Sequence, residues 1–198
     1  IYAVDGCRIN LRGKLKDKYK PNKNNETCTV LVNGVYNVTY NYPVFLELVN
    51  HFDERKGFLD FNINSTKIDI FVFDRGYFSY DFITKLDNKN INYVLRINKN
   101  SKLIDNNIDD KIIYYNKIKI RIVKYSINNQ DYYIATNLYD TKRFSLNVIK
   151  SIYHKRWSIE EYFKYIKLYM KMDLFNENKE ENIKKTIYSQ IIVSLISK

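Results

Sequence analysis

Glycine and proline are scarce in this chain, at 5 and 2 of 198 residues, while Lys, Asn, Ile and Tyr are abundant, with 19 tyrosines alone. That skew is what an AT-rich coding sequence produces, so part of the lysine and asparagine excess reflects base composition. Cysteine is also rare. Cys7 and Cys28 form no CxxC or other metal-ligand spacing, which leaves two thiols of a reduced compartment as the default. Two histidines, His51 and His154, are too few for a histidine-based metal centre. No apolar run reaches the roughly 18 residues of a membrane-spanning helix, and no signal-peptide pattern precedes the first strand-like segment. The chain opens at Ile1, without Met, directly in an apolar strand pattern; a fragment or a trimmed N-terminus is the expectation.

What is present suffices for a folded domain. A length of 198 residues with 45% hydrophobic content allows one domain with a real core. The net charge of +11 points to an anionic partner, nucleic acid first, although the compositional skew weakens that inference.

Along the chain, residues 1–11 alternate apolar and polar side chains and read as a strand. Asp5 sits in its middle, where β-propensity disfavours it; either Gly6 makes a bulge there or the carboxylate has a task. Residues 13–27 read as a basic, solvated loop, with phosphate contact as the lesser alternative. Strands over 28–32 and 35–40 are expected to flank an Asn33-Gly34 hairpin turn. Residues 44–52 have helix-like spacing, and 53–66 form a polar connection. Residues 67–73 are an apolar strand ending at Asp74. Arg75-Gly76-Tyr77 makes the turn, and Ser79 caps a helix to about Asp87. Asp74 is either an ordinary strand-terminating Asp or a carboxylate placed where chemistry is common, at the C-terminal end of a buried strand. A strand follows over 91–97. Residues 98–144 then change character: strands over 112–115, 117–125 and 132–136, with Asn128-Asn129 as a turn, read as a β-rich insertion. Ser145 caps a long helical region, and a capping box of Ser158 and Glu161 suggests a kink or restart near Trp157. A last helix spans 179–197.

The densest cluster of chargeable residues lies at 153–167. On a continuous helix, Tyr153, Arg156, Glu160 and Lys167 would share an arc of about 60°, flanked by Ile159, Tyr162, Phe163, Ile166, Tyr169 and Met170. Taken alone, the stretch reads first as an amphipathic helix with salt bridges such as Arg156 to Glu160. Trp157 reads as a packing residue and His154 as exposed.

These residues carry a resemblance. Tyr153, Arg156, Glu160 and Lys167 have the Tyr-x2-Arg-x3-Glu-x6-Lys spacing of the IS4-type DDE transposases. The Arg156-Trp157 pair, Ile159, Asp5-Gly6 on the first strand and Asp74 to Tyr77 after the fourth are similar to that family's motifs. So is the β-rich segment between the second Asp and the Glu. The element order, three strands, helix, strand, helix, strand, β segment and long helix, matches an α/β, RNase H-like mixed sheet flanked by helices. Cys7 departs from the family's usual small residue. The N-terminal region that contributes to end recognition in the family is not seen before Ile1, so 1–198 is expected to be a catalytic domain, with 98–144 as its insertion.

The resemblance implies a DNA transposase that cleaves transposon ends and joins them to target DNA by two-metal-ion phosphoryl transfer. Asp5, Asp74 and Glu160 would hold two Mg²⁺ or Mn²⁺ ions, carboxylate oxygens suiting hard cations. Tyr153, Arg156, Lys164, Lys167 and Arg75 would contact DNA, with Arg96 a lesser candidate. The implied partner is double-stranded DNA, bound by a homodimer, with no membrane. The location would be cytoplasmic and nucleoid-associated in a prokaryote, or nuclear or in a viral factory otherwise. An RNase H-like nuclease and a non-catalytic DNA-binding relic stand as alternatives.

Overall fold

The structure, a computed structural model, describes residues 1–12, 15, 19–21, 27–49, 53–61, 65–104, 109–168 and 179–196. The loop expected over 13–27 lies mostly outside them. The chain divides into two compact units, one of Ile1–Val4 with Phe61–Trp157 and one of Asp5–Asp60 with Ser158–Lys198. Among the described residues no helix is long and apolar enough to cross a membrane.

The first unit is a mixed sheet with helices. The start of β1 (Tyr2–Arg12) pairs in parallel with β5 (Ile70–Phe73), in the register Tyr2 to Phe71 and Val4 to Phe73. β5 pairs in parallel with β6 (Asn92–Ile97). All four residues of β5 are buried, as expected of a central parallel strand covered on both faces. α2 (Tyr80–Asn88) connects the two strands, and Ser79 Oγ accepts the Phe82 N–H at 3.1 Å, so the expected cap is present. β7 (Asp110–Tyr115), β8 (Ile118–Ile127) and β9 (Gln130–Thr136) then form an antiparallel series, and β9 pairs with β6. The three strands expected in 98–144 therefore continue the sheet that holds β6. Asn128 and Asn129 make the expected turn, at φ 49° and 60°, a region Asn tolerates better than most residues. α3 (Leu146–His154) places Ile149, Ile152 and Tyr153 in a core with Ile70, Val72, Val94 and Ile134.

Arg121 is the largest fully buried side chain of this unit. Its Nε and Nη2 donate to the two carboxylate oxygens of Asp110, at 2.7 and 2.6 Å, and its Nη1 donates to the Leu138 and Phe144 carbonyls at 2.8 Å. One guanidinium thus joins β7, β8 and the segment leading into α3.

In the second unit, β3 (Thr27–Asn37) pairs antiparallel with β2 (Lys20–Pro21) and with β4 (Tyr42–Val49), and it neighbours β1. Here the structure corrects two expectations. Asn33-Gly34 is not a turn: both residues lie inside β3, opposite Glu47 and Leu46. A Cβ on Gly34 would come within 2.9 Å of Leu46 Cδ2 and Phe163 Cζ, so this glycine permits close packing rather than a positive φ. The actual turn follows Asn37, whose Oδ1 accepts the Thr39 and Tyr40 N–H groups, and Asn41 takes φ 58°. Of residues 44–52, expected to be helical, 44–49 lie in strand β4 because they pair along β3, and 50–52 lie outside the described residues. Within the expected polar connection, α1 (Glu54–Asp60) forms behind Asp53, which accepts the Arg55 and Lys56 N–H groups. α4 (Trp157–Leu168) buries Ile159, Tyr162, Phe163 and Ile166, and the Tyr162 hydroxyl meets Ser194 Oγ at 3.2 Å on α5 (Glu180–Ile196).

The Arg121 network gives a direct test of the first unit. Arg121→Ala leaves a carboxylate and two carbonyls without their donor, so equilibrium denaturation should read a loss of about 3–5 kcal/mol. A loss under about 1 kcal/mol would place this pair with surface ion pairs.

Candidate functional site

The helical arc predicted from 153–167 assumes one continuous helix. Instead α3 ends at His154, the Lys155 N–H bonds Ile152 O at 3.2 Å, the Arg156 N–H bonds Tyr153 O at 3.0 Å, and α4 starts at Trp157. The expected restart is present, but Ser158 lies inside the first turn of α4 rather than capping it. The break also separates the motif: Tyr153 and Arg156 belong to the first unit, Glu160, Lys164 and Lys167 to the second.

In the first unit, Asp74 stands half-buried at the C-terminal end of β5. The chain then makes a short 3-10 turn, Arg75–Tyr77, in which the Tyr77 N–H bonds Asp74 O at 3.1 Å. Tyr77 anchors the turn by packing on Phe73 and Phe82, with ring centroids 5.3 and 5.8 Å away, and leaves Arg75 exposed. Tyr153 is only 1% exposed and Arg156 only 6%. Burial pushes the Tyr153 phenol up to about 12; the positive charge of Arg156 opposes the shift, the negative charge of Asp74 adds to it, and Arg96 opposes it. Asp74, Arg96, Tyr153 and Arg156 therefore share one electrostatic neighbourhood. Two side expectations fail here. Trp157 is 52% exposed rather than packed, with the Arg156 guanidinium 5.6 Å from its ring centroid. His154 is half-buried rather than exposed, among the rings of Tyr125, Tyr132 and Tyr153, and burial lowers its pKa.

In the second unit, Asp5 Oδ1 accepts the Gly6 N–H at 2.9 Å. Gly6 has no positive φ. A Cβ there would fall 2.7 Å from the Glu54 side chain, so Gly6 admits α1 against β1. Glu54 was not found by sequence reasoning; Asp53 as a helix cap ahead of it was the signal available. Glu160 is half-buried on α4. Glu161 is exposed and holds Lys164 at 2.6 Å, so that lysine is tied to its own helix. Lys167 Nζ donates to the Arg8 carbonyl at 2.9 Å, which fastens α4 to β1.

Among the described residues, no three His, Cys, Asp or Glu side chains within either unit form a group that could hold a metal ion. Asp5 and Glu160 lie in one unit and Asp74 in the other. Chain continuity relates two of them. Val4 and Phe73 are registered partners on parallel strands, and each is followed directly by one of these acids.

The family described as the transposase DDE domain matches residues 1–196. The chain is 34% identical, over 134 residues, to a protein of Synechocystis sp. named as a candidate transposase for insertion sequence element IS4SA. That alignment covers 64% of this chain and 40% of the relative, so the chain spans less than half of the relative's length. The chain belongs to the DDE transposase domain family, in its IS4 type.

The buried phenol makes a pH prediction. Its folded pKa lies above the ordinary value of 10, so the folded state binds more protons between pH 10 and about 12, and stability is lost as pH rises through that window. Denaturation across it should show a shallower loss in Tyr153→Phe than in the unsubstituted chain, by no more than about 2.7 kcal/mol. Equal slopes would mean that the phenol is not held in its neutral form.

Proposed function

We propose that this chain is the catalytic part of a DNA transposase, in which Asp5, Asp74 and Glu160 act together in phosphoryl transfer on DNA. Three observations support the reading: the family match across nearly the whole chain, the registered pair Val4 and Phe73 leading into two of the acids, and Glu160 at the motif spacing. The first carries the most weight. The pairings β4–β3–β1 in one unit and β1–β5–β6 in the other suit an RNase H-like sheet. In this reading 1–198 is one catalytic domain.

The donor set is carboxylates only, and each is half-buried, which fits a hard divalent cation with open positions for substrate oxygens. Asp5, Asp74 and Glu160 would hold two such ions, Mg²⁺ or Mn²⁺. When bound, the ions supply activation of a water or DNA 3′-hydroxyl and charge stabilisation at the leaving oxygen. The chain's own groups set the surroundings. Tyr153 stays protonated at neutral pH and is no nucleophile; with Arg156 it would position the phosphate backbone near the cut, in the neighbourhood of Asp74, whose charge acts on the phenol. Arg75 and Lys164, both exposed, face the DNA backbone, and Lys167 keeps α4 on β1. The partner is double-stranded DNA, transposon ends and target, bound by a homodimer at the nucleoid or its equivalent.

Single Ala substitutions of Asp5, Asp74 and Glu160 test this directly. Each should lower Mg²⁺-dependent cleavage of an end-bearing duplex by about a thousandfold or more, while DNA binding survives. Full cleavage by Glu160→Ala removes that residue from the site. Cleavage without joining of a precleaved 3′-hydroxyl end identifies a nuclease instead of a transposase, and activity untouched by all three changes identifies a relic.

A further inference from the structure

A groove of about 400 Å³ opens on the first unit, beyond the C-terminal ends of β5 and β6. Arg75, Arg96 and Lys99 line one part of it, and the β8–β9 turn with Asn129, Gln130 and Asp131 lines the other. Its single carboxylate is already engaged: Asp131 holds Lys124 at 3.1 Å and accepts the Ser126 hydroxyl. Among the described residues, Arg75, Arg96 and Lys99 make no ion pair. The groove is therefore a cationic one, rimmed by amides, at the strand ends where α/β sheets commonly take ligands.

Arg96 differs from the other two cations in being held. Its guanidinium lies 4.5 Å from the Tyr132 ring centroid. The register explains why: Arg96 pairs with Ile134, so Tyr132, two residues along β9, is its diagonal neighbour on the same face. Tyr132 is itself fixed. It is the direct cross-strand partner of Tyr125, the two rings stacked at 5.2 Å and within 2° of parallel, and His154 packs against both. A long, rotamer-rich side chain is thus aimed at the groove by a rigid aromatic stack, so less entropy is lost when it meets an anion.

We propose that this groove binds the phosphate backbone of DNA through Arg96 with Arg75 and Lys99, and that Tyr132 is the positioning residue that holds Arg96 for it. The inference rests on the DNA-processing reading above and adds a binding surface and a positioning residue to it. The Asn129 and Gln130 amides on the rim add hydrogen-bonding groups for a strand's phosphates and sugar oxygens.

The test measures binding of the full chain to a fluorescein-labelled duplex and to its single strand across a salt series. Arg96→Ala should weaken binding about tenfold and lower the salt slope by about one, as for a lost phosphate contact. Tyr132→Ala should lower the slope by a similar amount although it removes no charge, Tyr132→Phe should restore both, and adding Tyr132→Ala to Arg96→Ala should cost nothing further. A structural role for Tyr132 would weaken binding without changing the slope, and that result overturns the positioning claim. Lys99→Ala, at an exposed site that leaves the fold intact, should lower affinity and slope as well; unchanged binding in both Arg96→Ala and Lys99→Ala overturns the groove. If the unsubstituted chain binds neither probe at low salt, the DNA reading itself fails, which is distinct from either outcome.

Discussion

The parallel pairing of Tyr2–Val4 with Phe71–Phe73 is the constraint on which the rest depends. β5 is buried on both faces, so a one-residue slip would exchange Ile70 and Val72 with Phe71 and Phe73 between two differently packed cores. The last registered pair is Val4 and Phe73, and the next residues along the chain are Asp5, still inside β1, and Asp74, just past the end of β5. The hydrophobic core around Ile70, Val72 and Val94 and the ring cluster of Phe73, Tyr77 and Phe82 hold β5 from its two sides.

Basic charge in this protein is used in more than one way. Arg121 is spent wholly on structure, and Lys167 spends its donor on the Arg8 carbonyl. Arg156 is buried beside Tyr153. Exposed or groove-facing cations such as Arg75, Arg96 and Lys99 remain for an anionic partner. A net charge of +11 therefore overstates the charge available to an anionic partner, and position decides which residues count.

The elements legible in the sequence were those fixed by local chemistry. Ser79 caps α2 and Asn128-Asn129 turns β8 into β9 because each needs only its near neighbours. Asn33-Gly34 carried the same kind of signal and misled, because Gly34 serves a contact with Phe163, about 130 residues away in sequence. Residues 44–52 had helix-like spacing, and pairing to β3 makes 44–49 part of a strand instead. For the site, spacing identified the family through Asp5, Asp74, Tyr153, Arg156, Glu160 and Lys167. It could not reveal the break after His154, which divides that motif between two units, nor the burial of Tyr153, nor the aromatic stack behind Arg96.

The central proposal is that Asp5, Asp74 and Glu160 serve one reaction. Mn²⁺ binding, followed by electron paramagnetic resonance with duplex DNA present, tests it most directly. The account predicts that the unsubstituted chain binds the ion and that Asp5→Ala, Asp74→Ala and Glu160→Ala each weaken that binding strongly. Undiminished Mn²⁺ binding in any one of the three would contradict a shared site.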